Sequence, residues 1–132
     1  MLTMNRRYNL TNPNQTLVKK VLTVCSAGLL RSPTLANVLH KEYGYNTRSA
    51  GANKEYALVI ADEALLTWAD EIVCVESEVF GLLCTEENLP ILADKRVLVL
   101  DVPDMYQWGD PELERIALKQ YDDADVMEVA YA

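Results

Sequence analysis

The stretch Val21-Leu22-Thr23-Val24-Cys25-Ser26-Ala27-Gly28-Leu29-Leu30-Arg31-Ser32-Pro33-Thr34 constrains the fold more than any other part of this chain. It opens on a short apolar run that includes β-branched residues, which reads as a buried strand. A cysteine follows the run, five residues separate it from an arginine, and a helix-like segment comes next. A buried strand that turns directly into a helix is the opening unit of a parallel α/β sheet. Its carboxyl end is where such sheets bind ligands.

The residues at that end suit phosphate chemistry. Successive backbone N–H groups from Ser26, Ala27, Gly28, Leu29 and Leu30 form an anion-binding nest, and the free N–H groups of the following helix add positive potential. Both favour a phosphate dianion and both favour a thiolate at Cys25. Gly28 stands mid-loop, where a positive φ is expected. Arg31 supplies a planar fork for two phosphoryl oxygens. Ser32 places a hydroxyl near the thiolate, and Pro33 suits a first helical turn. The plainer alternative is a buried structural cysteine with Arg31 as a solvated helix-start residue.

The rest of the chain alternates between the two element types. Lys19–Val24 reads as strand one. Pro33–Tyr43 reads as a helix with Leu35, Val38 and Leu39 on one face and Gly44 as its stop. Tyr45–Ser49 is a short second strand. Asp62 caps a helix through Trp68, with Ala64, Leu65 and Trp68 as its apolar face. Glu71–Val75 is strand three, Ser77–Cys84 a helix beginning on a serine cap, and Lys95–Leu100 strand four. Asp110-Pro111-Glu112 opens a final helix. The expected fold class is α/β: one three-layer domain with a four-stranded parallel sheet flanked by helices and the phosphate loop after strand one. Residues 1–17 read as a flexible leader and 18–132 as the domain.

Composition bounds the function. A chain of 132 residues is one domain with a real core. Half of it is apolar, yet no run spans a membrane and no secretory h-region opens it. Three cysteines without scaffold spacing point to free thiols in a reducing cytoplasm. A net charge of −8 argues against nucleic-acid partners. It also means that an anionic substrate must be drawn by the local potential of the loop and Arg31. No cofactor and no metal site is read from the sequence.

The Cys25–Pro33 segment resembles the phosphate loop of the low-molecular-weight protein tyrosine phosphatases, where the loop also follows the first strand near the N-terminus. Three further segments resemble the family in the same order: Ser49-Ala50-Gly51, Trp68–Val75 with its Ala-Asp-x-Ile, and Asp101-Val102-Pro103-Asp104-Met105-Tyr106 in place of the Asp-Pro-Tyr loop. The resemblance implies the strand order 2-1-3-4 and a phosphotyrosine-containing protein or small aryl phosphate as substrate. Three departures stand out. The family's Gly-Asn after the Cys is Ala27-Gly28. A second loop cysteine, which many members carry, is Leu30. Only ten residues separate Gly51 from Asp62, so a recognition loop is shortened.

The expected reaction is hydrolysis of a phosphomonoester through a phosphocysteine on Cys25. Arg31 and the loop amides stabilise the equatorial oxygens, and Asp104 protonates the leaving phenolate and then activates water. Asp104 precedes Tyr106 by two residues, as the family's acid precedes its aromatic. Asp101 is the second candidate, and Asp110 has a helix-cap explanation. Tyr106 and Trp108 are placed to stack on an aryl ring opposite Leu29, although Trp108 also suits core packing. Three other functions share parts of this pattern. A non-enzymatic phosphoprotein-binding module is one. A thiol arsenate reductase relaying through Cys74 and Cys84 is another, but the reductase pattern places a Cys where this chain has Glu76. A sugar-transport phosphocarrier is the third, and its loop lacks the Arg.

Overall fold

The computed structural model describes residues 18–28, 30–105 and 110–131, with side chains through residue 126. Its elements in chain order are β1 (Lys20–Cys25), α1 (Arg31–Tyr43), β2 (Asn46–Gly51), α2 (Glu63–Trp68), β3 (Glu71–Cys74), α3 (Ser77–Leu83), α4 (Leu89–Ala93), β4 (Arg96–Val99) and α5 (Pro111–Tyr131). The four strands form one parallel sheet in the order β2-β1-β3-β4. The expected α/β class, parallel sheet and strand order are thus all present. The expected leader, residues 1–17, lies outside the described residues.

β1 is central, and its side chains from Val21 to Val24 are fully buried. A strand covered on both faces carries an unbroken apolar run instead of an alternation. The register pairs Cys25 with Gly51 of β2 and Val24 with Cys74 of β3. On one face α1 packs against α5, and elsewhere α2 meets α4 while α3 meets β3. No helix among the described residues is long and apolar enough to cross a membrane.

Local signals set several boundaries. Gly44 takes a left-handed φ of 71° and donates its N–H to His40 O, closing α1. Asp62 accepts the Leu65 N–H at 2.9 Å and opens α2. Asp110 accepts the Glu112 N–H at 2.9 Å at the start of α5.

Other expectations fail for tertiary reasons. Ser77 does not cap α3. It is the first helical residue, and Glu76 before it makes no side-chain cap. The Glu76 carboxylate is committed elsewhere, as described below. On α2 the buried pair is Leu65 and Leu66, while Ala64 faces solvent. Trp68 is half-buried, its ring covered by the Arg48 guanidinium at 3.8 Å. The helix α4 has only five residues, too few for a helical period to show.

Glu71 is fully buried where β3 begins. Lys19 Nζ and Arg96 Nη1 approach its Oε2 at 3.0 and 3.3 Å, and the Tyr121 hydroxyl donates to Oε1 at 2.7 Å. Burial first, and then the bond to Glu71, push the Tyr121 phenol up, so it remains a donor. This cluster ties α5 to the far end of the sheet from Cys25. Glu71→Ala removes the acceptor shared by two cations and a phenol. Because both cations keep some contact with water, the expected loss is about 2–3 kcal/mol, below the full cost of breaking a buried pair. Urea unfolding checks it, and a loss under about 0.5 kcal/mol would show that the cluster contributes no more than a surface pair.

Candidate active site

Cys25 ends β1 with its side chain buried. Its Sγ accepts the Gly28 N–H at 3.0 Å and lies 3.1 Å from Ser32 Oγ. The Ser32 hydroxyl also sits 3.4 Å from Ala50 O. Its one proton turns to the sulfur when the sulfur is a thiolate, and to the carbonyl when it is not. Thr23 Oγ1 donates to Ser32 O at 2.7 Å, which fixes the first turn of α1 against the sheet.

The loop owes its shape to glycine at two points. Gly28 has a φ of +75°, and a Cβ there would fall 2.9 Å from Ala50 C and Gly51 N. Conformation and space both require its missing side chain. A Cβ on Gly51 would fall 2.6 Å from Ala27 C and from Ala57 Cβ. Cys25 O and Ser26 O accept from Ala52 N and Asn53 N at 2.8 and 2.9 Å. These carbonyls face the 52–53 segment, so the N–H groups of the same planar peptides face the opposite way, towards the loop interior. Helix α1 has no acidic residue in its first turn and no side-chain cap, which leaves its positive end uncompensated.

Arg31 is not a solvated helix-start residue: it is 4 % exposed. Its Nη1 donates to Val102 O at 3.0 Å, its Nη2 donates to Glu76 Oε1 at 3.0 Å, and its Nε lies 3.7 Å from Asp104 Oδ1. Among the described residues the remaining guanidinium N–H groups have no partner, and the two bonds set the plane of the fork. Sequence reasoning missed both anchors. Glu76 stood in it only as the position where a reductase would carry a Cys, and a backbone carbonyl at 102 leaves no mark in residue type.

Of the three acids considered, the structure brings Asp104 to the arginine. Asp104 is exposed, beside the loop. The backbone of Asp101 is clasped by Gln120, which accepts from Asp101 N at 2.6 Å and donates to Asp101 O at 2.8 Å. Asp110 serves as the cap of α5. Ser26, Ala27, Gly28 and Leu30 lie on the turn between β1 and α1. Leu29, Tyr106 and Trp108 fall outside the described residues. His40 Nδ1 sits 2.9 Å from Tyr45 O, a packing role away from the loop.

No protein-family model matches the sequence, and no curated protein matches it. Solved structures do match the fold. Wzb of Vibrio vulnificus, in complex with benzylphosphonate, superposes with a TM-score of 0.59 at 21 % identity, covering 87 % of this chain and 99 % of that one. The YwlE arginine phosphatase of Geobacillus stearothermophilus does so with a TM-score of 0.58 at 18 % identity, covering 86 % and 97 %. A low-molecular-weight protein tyrosine phosphatase of T. tengcongensis gives 0.58 at 22 % identity, covering 83 % and 98 %. The chain has the fold of the low-molecular-weight protein tyrosine phosphatases.

Proposed function

We propose that this chain is a cysteine-dependent phosphomonoesterase that hydrolyses aryl phosphates, with phosphotyrosine as its substrate class. The observation that carries the reading is a buried sulfur held by a loop amide and a serine hydroxyl at the start of α1, with a pre-set buried arginine on the same helix. The neighbouring tyrosine phosphatases and the benzylphosphonate complex support the same chemistry by analogy of fold.

The mechanism follows from the side chains. Cys25 thiolate attacks phosphorus in line, forming an S–P bond as the P–O bond to the phenol breaks. Charge on the equatorial oxygens is met by the loop N–H groups and the free donors of Arg31. Asp104, protonated, delivers its proton to the departing phenolate. As carboxylate it then takes a proton from the water that cleaves the S–P bond. Orthophosphate leaves, and the thiolate is restored. The step needs a free thiolate, which the reducing cytoplasm maintains.

Arsenate reduction fits less well. Cys74 is fully buried inside β3, and burial, with Cys84 as the lesser cause, pushes its thiol up to about 12. Such a group is a poor relay thiolate. The residue after next, Glu76, is bound to Arg31.

Release of p-nitrophenol from p-nitrophenyl phosphate by the reduced protein tests the proposal. Absence of turnover together with measurable phosphate binding would favour the binding-module reading. The acid is tested by leaving-group dependence. Asp104→Asn is expected to lower kcat/KM, which reports formation of the phosphocysteine, on phenyl phosphate by roughly 10²-fold, with a much smaller loss on p-nitrophenyl phosphate, whose leaving group needs no proton. Equal losses on both substrates would rule Asp104 out as the acid.

A further inference from the structure

Large apolar side chains left in water mark contact surfaces when they gather in one place. Half of those exposed among the described residues lie on the three segments that border Cys25: Leu30 on the loop, Tyr56, Leu58 and Ile60 after β2, and Met105 after β4. Leu58 is 82 % exposed, Met105 74 % and Tyr56 67 %. The middle segment is anchored to the phosphate loop. Asn53 N donates to Ser26 O, and Gly51 N donates to Val59 O. Ala57, between Tyr56 and Leu58, abuts Gly51 where it underlies Ala27. Asn53 O accepts from both Tyr56 N and Ala57 N, and Asn53 Oδ1 accepts from Glu55 N. The turn is therefore built, and it carries its two large side chains outwards instead of into the core.

The charge around this collar is mainly negative. Glu55, Asp101 and Asp104 are exposed on the same segments, Glu76 pairs with Arg31, and Lys54 is the exposed cation beside them. The chain as a whole carries −8. The inward-facing N–H groups and Arg31 attract a phosphate dianion, while the rim repels any further negative charge. A second copy of this chain brings the same negative rim, so it is a poor occupant for the collar.

Resting on the phosphatase reading above, we infer that the collar selects the segment around the phosphorylated residue: a phosphotyrosyl stretch flanked by apolar side chains, in preference to an acidic one. Apolar flanks cover Tyr56, Leu58 and Met105 as the phosphate enters the loop. Acidic flanks gain none of that burial and meet the carboxylates of the rim.

Three phosphotyrosyl peptides test this, alike except for flanks of Leu and Val, of Ser and Gly, or of Asp and Glu. The expected kcat/KM for the apolar peptide exceeds that of the polar one by about tenfold, the worth of burying one or two such side chains. The acidic peptide falls below the polar one by about fivefold. Raising the salt closes the acidic gap and leaves the apolar one, since screening acts on the exposed charges alone. Tyr56→Ser with Leu58→Ser removes the apolar advantage. Both side chains are exposed, so the fold is retained, and a thermal melt verifies it. Equal kcat/KM for the three peptides, or an advantage that survives the double substitution, overturns the inference while p-nitrophenyl phosphate turnover stands. If p-nitrophenyl phosphate is inert too, the phosphatase reading falls and the collar's selectivity falls with it.

Discussion

Cys25→Ser protein is expected to release no phenol from aryl phosphates above background, a loss of about 10⁴-fold or more of kcat, as when the nucleophile of a covalent mechanism is removed. The reason is ionisation. The Gly28 N–H donates to the sulfur, the Ser32 hydroxyl lies within hydrogen-bond reach of it, and the start of α1 adds positive potential. A thiolate is nucleophilic as it stands. A serine hydroxyl is ionised far less readily, and no general base among the described groups contacts the sulfur. Binding is a different matter. The loop amides and Arg31 are untouched, and an anionic sulfur facing the phosphate is gone. The variant is therefore expected to bind inorganic phosphate at least as tightly as the parent, measured by calorimetry. Loss of turnover with retained binding assigns Cys25 to bond-making. Turnover within about tenfold of the parent would place the nucleophile elsewhere. Cys74 would be a poor substitute, being fully buried with its thiol pushed up to about 12.

Arg31→Lys keeps the positive charge and is still expected to lower kcat/KM by about 10³-fold, the scale seen when one transition-state donor is removed. The guanidinium makes two bonds to protein, to Val102 O and Glu76 Oε1, and these orient its remaining donors. A lysine ammonium is a point charge on a flexible stem and cannot make both contacts while presenting a planar pair of donors. It is expected to settle on Glu76, neutralising that carboxylate and leaving the loop without its fork. Phosphate affinity falls too, but less than the rate, because charge redistributes onto the equatorial oxygens only as the P–O bond breaks. A drop in affinity as large as the drop in kcat/KM, with kcat unchanged, would show that Arg31 serves ground-state binding alone.

Much of the architecture was legible in residue order because its causes are local. The apolar run of β1 announces a central strand covered on both faces. Gly44 and Asp62 act through single hydrogen bonds to residues three or four positions away. Gly28 was expected at a positive φ and has one. The same logic misled where a local preference lost to a distant partner. Ser77 is a good cap by type, yet the position before it, held by Glu76, is the N-cap. Alternation and period placed Ala64 inside α2, but packing buries Leu66 in its place. Glu71, charged and at the start of β3, carries no local sign of its burial. It is buried because Lys19, Arg96 and Tyr121 converge on it.

The residues alone therefore determined the parallel α/β plan, with a cysteine at the carboxyl end of its central strand. Strand period, turn glycine and helix start all act within a few positions, and each is written in side-chain type. The tertiary structure alone decided that Arg31 is buried and aimed. Its partners stand 45 and 71 residues away, and one of them is a backbone carbonyl that any residue could supply. It alone brought Asp104 to within 3.7 Å of Arg31 while Gln120 clasped Asp101 and α5 took Asp110 as its cap. Which of several nearby acids meets a buried cation depends on how the loop after β4 folds back over the sheet end, and neither spacing nor charge contains that path.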